Sequence, residues 1–157
     1  DVLSNKNTVS DIVSSFIRQK ADIVYGNLVI QKNNKIFRKW ISGKFLKNSF
    51  LKGWSPPHPA FVAKKKVYKK FGFFNLEYNF AADIELMYRF MEQKNLISYY
   101  LNKNLVIMRH GGVSSNSLKN KIKQNIENIK ILKRNNQFKY FNFFINKLKH
   151  RLKQFYA

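Results

Sequence analysis

A chain of 157 residues is long enough for one domain with a real core, or for one domain with a helical appendage. Thirty Lys or Arg against eight Asp or Glu give a formal charge of +22, which points either to an anionic partner or simply to an AT-rich coding sequence that favours Lys, Asn, Ile and Phe. The absence of cysteine excludes a disulfide framework and any thiolate metal site, and no uninterrupted apolar run reaches the roughly eighteen residues of a membrane-spanning helix.

No signal-peptide pattern opens the chain, and the expectation is a soluble or peripheral protein. Ser4 to Lys20 reads as a short helix, with Thr8 or Ser10 as cap and Ile12, Val13, Phe16 and Ile17 on one face. Asp22 to Ile30 is rich in β-branched residues and reads as a strand, with Gly26 marking a bulge or a close backbone approach. The pair Asn33-Asn34 then turns the chain into a second strand from Ile36 to Ile41, completing a hairpin.

Phe45, Leu46 and Phe50 keep a helical period and predict a short helix over Gly43 to Leu51. Pro56, Pro57 and Pro59 stiffen the loop around His58. Phe61 to Ala63 reads as a short buried strand, and Lys64 to Phe71 as a helix closed by Gly72. Asn79 is placed to cap a helix running to about Lys94, with Ile84, Met87, Tyr88 and Met91 inward and Glu85 and Arg89 as a solvated i,i+4 ion pair.

Ile97 to Leu101 and Leu105 to Met108 read as two strands separated by Asn102-Lys103-Asn104. After Ser117, a good cap, Leu118, Ile122, Ile126, Ile129 and Leu132 mark an amphipathic helix expected to pack on the domain. A second helix carries Phe141, Ile145, Leu148, Leu152 and Phe155 on one side and bases elsewhere, a pattern suited to an anionic membrane interface. Glu127 is the single acid from Leu118 to Phe155.

Five segments, in order, resemble the second half of the catalytic domain of family-2 glycosyltransferases, the inverting GT-A type that builds bacterial polysaccharides. They are Asp1-Val-Leu with the strand Ala21 to Ile30 behind it, HPAF from His58, YKKFGFF from Tyr68, AADIEL from Ala81, and RHGGVS from Arg109. They follow one another in the family's order from Asp1 to Ser114. The resemblance implies a mixed-sheet α/β fold, with residues 1–115 forming the acceptor and catalytic half of a domain that lacks its nucleotide-binding half at the N-terminus. Residues 116–157 would be a basic tail of amphipathic helices, the composition shifting near Ser115.

Inverting transfer needs a base for the acceptor hydroxyl and positive charge for the departing nucleotide diphosphate. The resemblance implies Asp83 as that base; the alternative is a first-turn acid that favours the helix dipole. It also implies Asp1 as a ligand of Mg²⁺ or Mn²⁺, with His110 as a metal or phosphate contact. Arg109 would pair with phosphate, helped by the flexible Gly111-Gly112 backbone, or else with an acid. Trp54 and His58, on the Pro-rich loop, would contact donor or acceptor, although a Trp is more often a core or rim residue.

The expected function is therefore inverting transfer of sugar from a nucleotide-sugar donor to a glycan or lipid-linked acceptor, in cell-surface polysaccharide biosynthesis. The fragment alone would be inactive, and its setting cytoplasmic, peripheral at the inner face of the cell membrane. Rival readings are a basic nucleic-acid-binding module, resting on charge and interleaved aromatics without a recognised motif, and a non-catalytic membrane-associated scaffold. No nucleic-acid partner is expected. Spacing gives no support for a Ser or Cys triad, a zinc site or a P-loop.

Overall fold

A computed structural model describes residues 1–94, 96–111, 118–134 and 138–155, with only the backbone of Leu118. The chain runs β1 (Val2–Leu3), α1 (Thr8–Arg18), β2 (Ile23–Lys32), β3 (Lys35–Trp40), β4 (Phe61–Ala63), α2 (Lys65–Phe71), α3 (Ala82–Tyr88), β5 (Ser98–Arg109), α4 (Leu118–Leu132) and α5 (Tyr140–Lys153). Short 3-10 turns cover Phe50–Lys52 and His58–Ala60, and a π turn, Arg89–Gln93, extends α3. This is an α/β architecture on a mixed sheet. Among the described residues no helix is long and apolar enough to cross a membrane.

The sheet is built around β2, whose residues from Ile23 to Ile30 are all buried. It lies parallel to β5 along one edge, and the sheet order is β1-β5-β2-β3. The other edge of β2 is shared by two antiparallel strands, β4 against Ile23 to Tyr25 and β3 against Leu28 to Lys32. Alternation divides the side chains between two faces. Val24, Leu28 and Ile30 join Leu105, Val106 and Ile12 of α1, whereas Ile23 and Tyr25 join Leu86, Met87, Phe90, Ile131, Leu132 and Phe143. Helices therefore cover both faces, and α4 and α5 supply side chains to the same core as α3.

Several sequence expectations match. The hairpin turns through Asn33 and Asn34 at φ 51° and 58°, the doubly left-handed geometry of a type I′ turn that asparagine tolerates. At Gly26 an added Cβ would stand 2.6 Å from Leu105 Cγ, so the close approach is real. The strand from Phe61 and the helix ending at Gly72 are present, Gly72 at φ 90°.

Others need correction. The segment expected to be helical from Gly43 to Leu51 keeps only the 3-10 turn Phe50–Lys52, because Gly43 and Asn48 adopt left-handed φ of 69° and 65° and break any longer helix. The two strands expected from Ile97 to Met108 are one, β5, with a register shift opposite Tyr25 to Leu28. The shift falls at Asn102-Lys103-Asn104, the break expected between the two strands. Buried Asn27 holds it, donating to Asn102 Oδ1 at 3.3 Å and accepting from Tyr100 Oη at 2.8 Å. Asn79 does not cap α3, whose N-cap is Ala81 and makes no side-chain cap bond.

Neither tail helix docks through the whole stripe read in its sequence; of the α4 stripe only its last member, Leu132, is fully buried. In α4, Ile122 and Ile126 are 60% and 47% exposed while Asn128, Ile131 and Leu132 are buried. Glu127 and Gln124, one turn earlier, bond the loop before α3 and turn that polar face inward. The composition shift near Ser115 and the cap Ser117 lie outside the described residues.

Candidate functional site

The segments that begin at His58, Tyr68 and Ala81 assemble into one module. Pro57, extended at φ −69° and ψ 122°, leads into the 3-10 turn, and Ala60 N–H donates to Pro57 O at 2.9 Å. This leaves His58 exposed, its ring edge-on to Phe74 at 5.6 Å. Leaving the turn, β4 pairs with β2 and delivers the chain to α2.

Arg89 locks the turn after α2 to α3. Its Nη2 donates to Phe73 O at 2.8 Å, and its Nη1 to Gly72 O at 3.2 Å and to Phe71 O. The same guanidinium pairs with Glu85 in bidentate fashion, at 2.8 and 3.0 Å, with both side chains only 15% exposed. The solvated ion pair expected from the spacing is thus a sheltered clamp. Arg89 satisfies the carbonyl that the end of α2 leaves open at Phe71 and two more just past it, and the fork geometry of guanidinium suits it to do so.

The start of α3 is held from outside. Glu127 of α4 accepts amide hydrogens from Asn79 at 3.2 Å, Phe80 at 2.8 Å and Ala81 at 2.8 Å. Ala81 is the N-cap of α3 and the other two amides lie in the loop that leads into it, where a carboxylate is favoured by the helix dipole as well. Asp83, half-buried, sits in the first turn, and one of its oxygens accepts from Ile84 N at 2.8 Å. Among the described residues its other oxygen has no hydrogen-bond partner, and no cation pairs with it. Asp83 therefore does part of the structural job of a first-turn acid while keeping one oxygen free.

A second group lies where β5 ends. Arg109 is paired in register with Gln31, and His110 N–H donates to Gln31 O at 2.8 Å. On the other side of β5, Val2 pairs with Ile107, so the antiparallel register carried one step further brings exposed Asp1 beside Met108. Asp1, Arg109 and His110 thus share one end of the sheet. The His110 ring leans the other way, across β2, and meets Phe37 of β3 with centroids 4.6 Å apart. Arg109 is exposed and pairs with no acid among the described residues. Gly111 is at φ 102°; the rest of the RHGGVS segment, from Gly112, lies outside them.

As a divalent cation site this end is sparse. Among the described residues no three His, Asp or Glu side chains cluster. Asp1 offers a solvent-open oxygen donor of the kind Mg²⁺ or Mn²⁺ takes alongside water and phosphate, whereas His110 would have to leave Phe37 to join it. The fit is that of one ligand in an otherwise substrate-built shell.

Trp54 stands apart from both groups. Its ring is set among Tyr25, Phe45 and Phe50 at 5.4 to 6.0 Å, and its indole N–H donates to Ser42 O at 2.7 Å. That is the environment of a half-buried core residue. No hydrogen bond or ring contact among the described residues joins Asp83 to His110. The open cavity of about 520 Å³ beside Ser4, Asp11, Gln31 and Lys103, and the smaller one of about 250 Å³ beside Tyr25 and Tyr100, are lined by none of the six site candidates.

No family model, curated protein or solved structure matches this chain.

Among the described residues, the arrangement offers a carboxylate oxygen without a hydrogen-bond partner near the head of a well-anchored helix, and an Arg without an acid partner at a sheet end. Sequence reasoning missed the residues that do the anchoring. Glu92, 6% exposed, accepts from Asn48 N at 2.9 Å and Phe50 N at 3.4 Å, and Glu127 holds the start of α3. The one available signal was their rarity: in a chain this poor in acids, each carboxylate that is neither terminal nor loop-bound has work to do.

Proposed function

We propose that the chain is the acceptor-side half of an inverting GT-A glycosyltransferase. It would pass sugar from a nucleotide-sugar donor to a glycan or lipid-linked acceptor, with Asp83 as the base. The observation that carries this reading is the free oxygen of Asp83, presented by a helix that Glu127 and Arg89 fix at both ends. A base must be held still relative to the hydroxyl it deprotonates, and a helix anchored at both ends does that. His58 belongs to the same module and is our choice for an acceptor contact.

Arg109 and His110 are assigned to the donor phosphates, and Asp1 to a divalent cation. When bound, that cation would neutralise the departing diphosphate. The exposed apolar residues Val2 and Leu3 on the edge strand β1, and Val9, Val13 and Ile17 on α1, support the expectation that a further layer completes the domain.

The test is made in the enzyme that carries both halves. Asp83→Asn keeps the shape and the Ile84 hydrogen bond but removes the proton acceptor, so turnover falls by roughly 10² to 10⁴ while donor affinity holds. Asp1→Asn has the opposite signature, weakening metal-dependent donor binding. Near-normal turnover of Asp83→Asn at saturating substrates overturns the assignment and leaves Asp83 as a structural acid.

A further inference from the structure

The outer face of α5 plays no part in this chemistry, yet it carries a row of exposed apolar side chains. Phe141, Leu148, Leu152 and Phe155 are 76%, 59%, 52% and 46% exposed and recur at helical spacing, Phe155 on the turn just past the helix. Phe143, roughly 150° further round the helix, is 3% exposed and anchors α5 on the 3-10 turn at Phe50. At Gly53, φ 74°, a Cβ would stand 2.7 Å from Phe143 O, so the docked side is closely fitted. The stripe is thus the side left over after docking.

Lys149 and Arg151, both exposed, flank the stripe on either side, and the segment 138–155 holds no acid. Lys147 is the exception among its bases. It turns inward, over the Phe143 ring at 5.3 Å, and donates to Asn125 Oδ1 at 2.7 Å. The outward surface is therefore apolar along its crest and positive along its margins. A phosphate backbone would use the margins and leave the crest in water, whereas a bilayer surface uses both.

We propose that this face of α5 docks on an anionic membrane, the stripe entering the headgroup boundary and the flanking cations meeting lipid phosphates. The geometry gives the docking a direction. Phe155, at the end of the stripe, contacts Phe37 with centroids 5.6 Å apart, Phe37 contacts His110, and Lys39 N–H donates to Gln154 O at 3.0 Å. Docking of α5 therefore holds the His110 end of the sheet beside the bilayer, which favours a lipid-linked acceptor. That last step rests on the glycosyltransferase reading; the docking itself does not.

The experiment is co-sedimentation of the intact protein with vesicles of equal parts phosphatidylcholine and phosphatidylglycerol, against phosphatidylcholine alone. Binding is expected only to the anionic vesicles and to weaken with salt. Leu148→Ser with Leu152→Ser should reduce it at least tenfold, with the thermal melt unchanged because both side chains already face solvent. Lys149→Gln with Arg151→Gln should also reduce it by about tenfold or more and flatten the salt dependence. Phe155→Trp should shift its emission to the blue on vesicle addition.

Undiminished binding by the leucine variant, or equal binding to neutral vesicles, overturns the proposal. So does a dimer that the leucine variant dissociates, or binding confined to nucleic acid that the variant retains. Asp83→Asn should bind vesicles as the wild type does, so that a failed docking and a failed catalytic assignment are read separately.

Discussion

The helices α4 and α5 are alike in sequence, both basic and both carrying an apolar stripe, and they are attached to the domain by different chemistry. α4 is held by the Glu127 carboxylate on the amides of residues 79–81, with Ile131 and Leu132 closing the contact below. α5 is held by the Phe143 ring, buried in the core, with the backbone of Phe143 and Lys147 fitted against Gly53. In each case the docking face is not the longest apolar stripe. A stripe reports that a helix has something to bury; the specific partner, an amide cluster or a glycine notch, decides which side goes in.

The sharpest way to break the comparison is Phe143→Ala. It should cost about 3–5 kcal/mol in denaturant unfolding, as removal of a buried aromatic does, and free α5. The exposed leucines of the same helix serve as its control, since replacing them should leave stability within about 0.5 kcal/mol. If Phe143→Ala were equally silent, the ring would not be the anchor.

Glu127→Ala should come next, at about 2–3 kcal/mol, because it strands three amide donors that a charged acceptor had satisfied. Hydrogen exchange at Asn79, Phe80 and Ala81 should accelerate while the β2 amides stay protected. Exchange that rises uniformly would mean that α4 is part of the global fold and not a separate brace.

The smallest effect concerns Lys147. Burial, with Arg151 adding like charge, lowers its pKa from 10.5 to about 8. Between those values the unfolded chain binds the proton that the folded one has released, so stability should rise as pH climbs from 8 towards 10.5. Lys147→Met keeps the stem on Phe143 and removes the charge. Its melting temperature should be a few degrees higher at neutral pH and should lose the rise above pH 8. A rise that persists in the variant would belong to another group.

What could be read from the sequence was what depends on neighbours in the chain. The Asn33-Asn34 turn, the close approach at Gly26, the stop at Gly72 and the buried run of β2 follow from local backbone preference and period. What escaped depends on partners far along the chain. Glu92 answers to Asn48, and Glu127 to Ala81, through backbone amides that leave no trace in any pattern of side chains. The candidate site divides in the same way. The segments could be named from resemblance, but that His58 and Asp83 share a module, that Trp54 is spent on the core and that His110 turns towards Phe37 are matters of packing.

The π turn Arg89–Gln93, where Lys94 N–H reaches back to Arg89 O at 3.1 Å, has a consequence for phase. One residue added within a helical turn rotates everything beyond it by about 100° relative to an uninterrupted helix. Before the turn, the helix presents Asp83 and Glu85 at the half-buried side; within it, Glu92 is carried into the interior, onto the amides of Asn48 and Phe50. A single-residue deletion between Glu85 and Glu92 would leave an α-helix of better local geometry with Glu92 out of step with Asp83 and Glu85, so that seating Glu92 would mean misplacing the other two. The widened turn works as a phase shifter that lets one short helix serve both an open surface and a closed core.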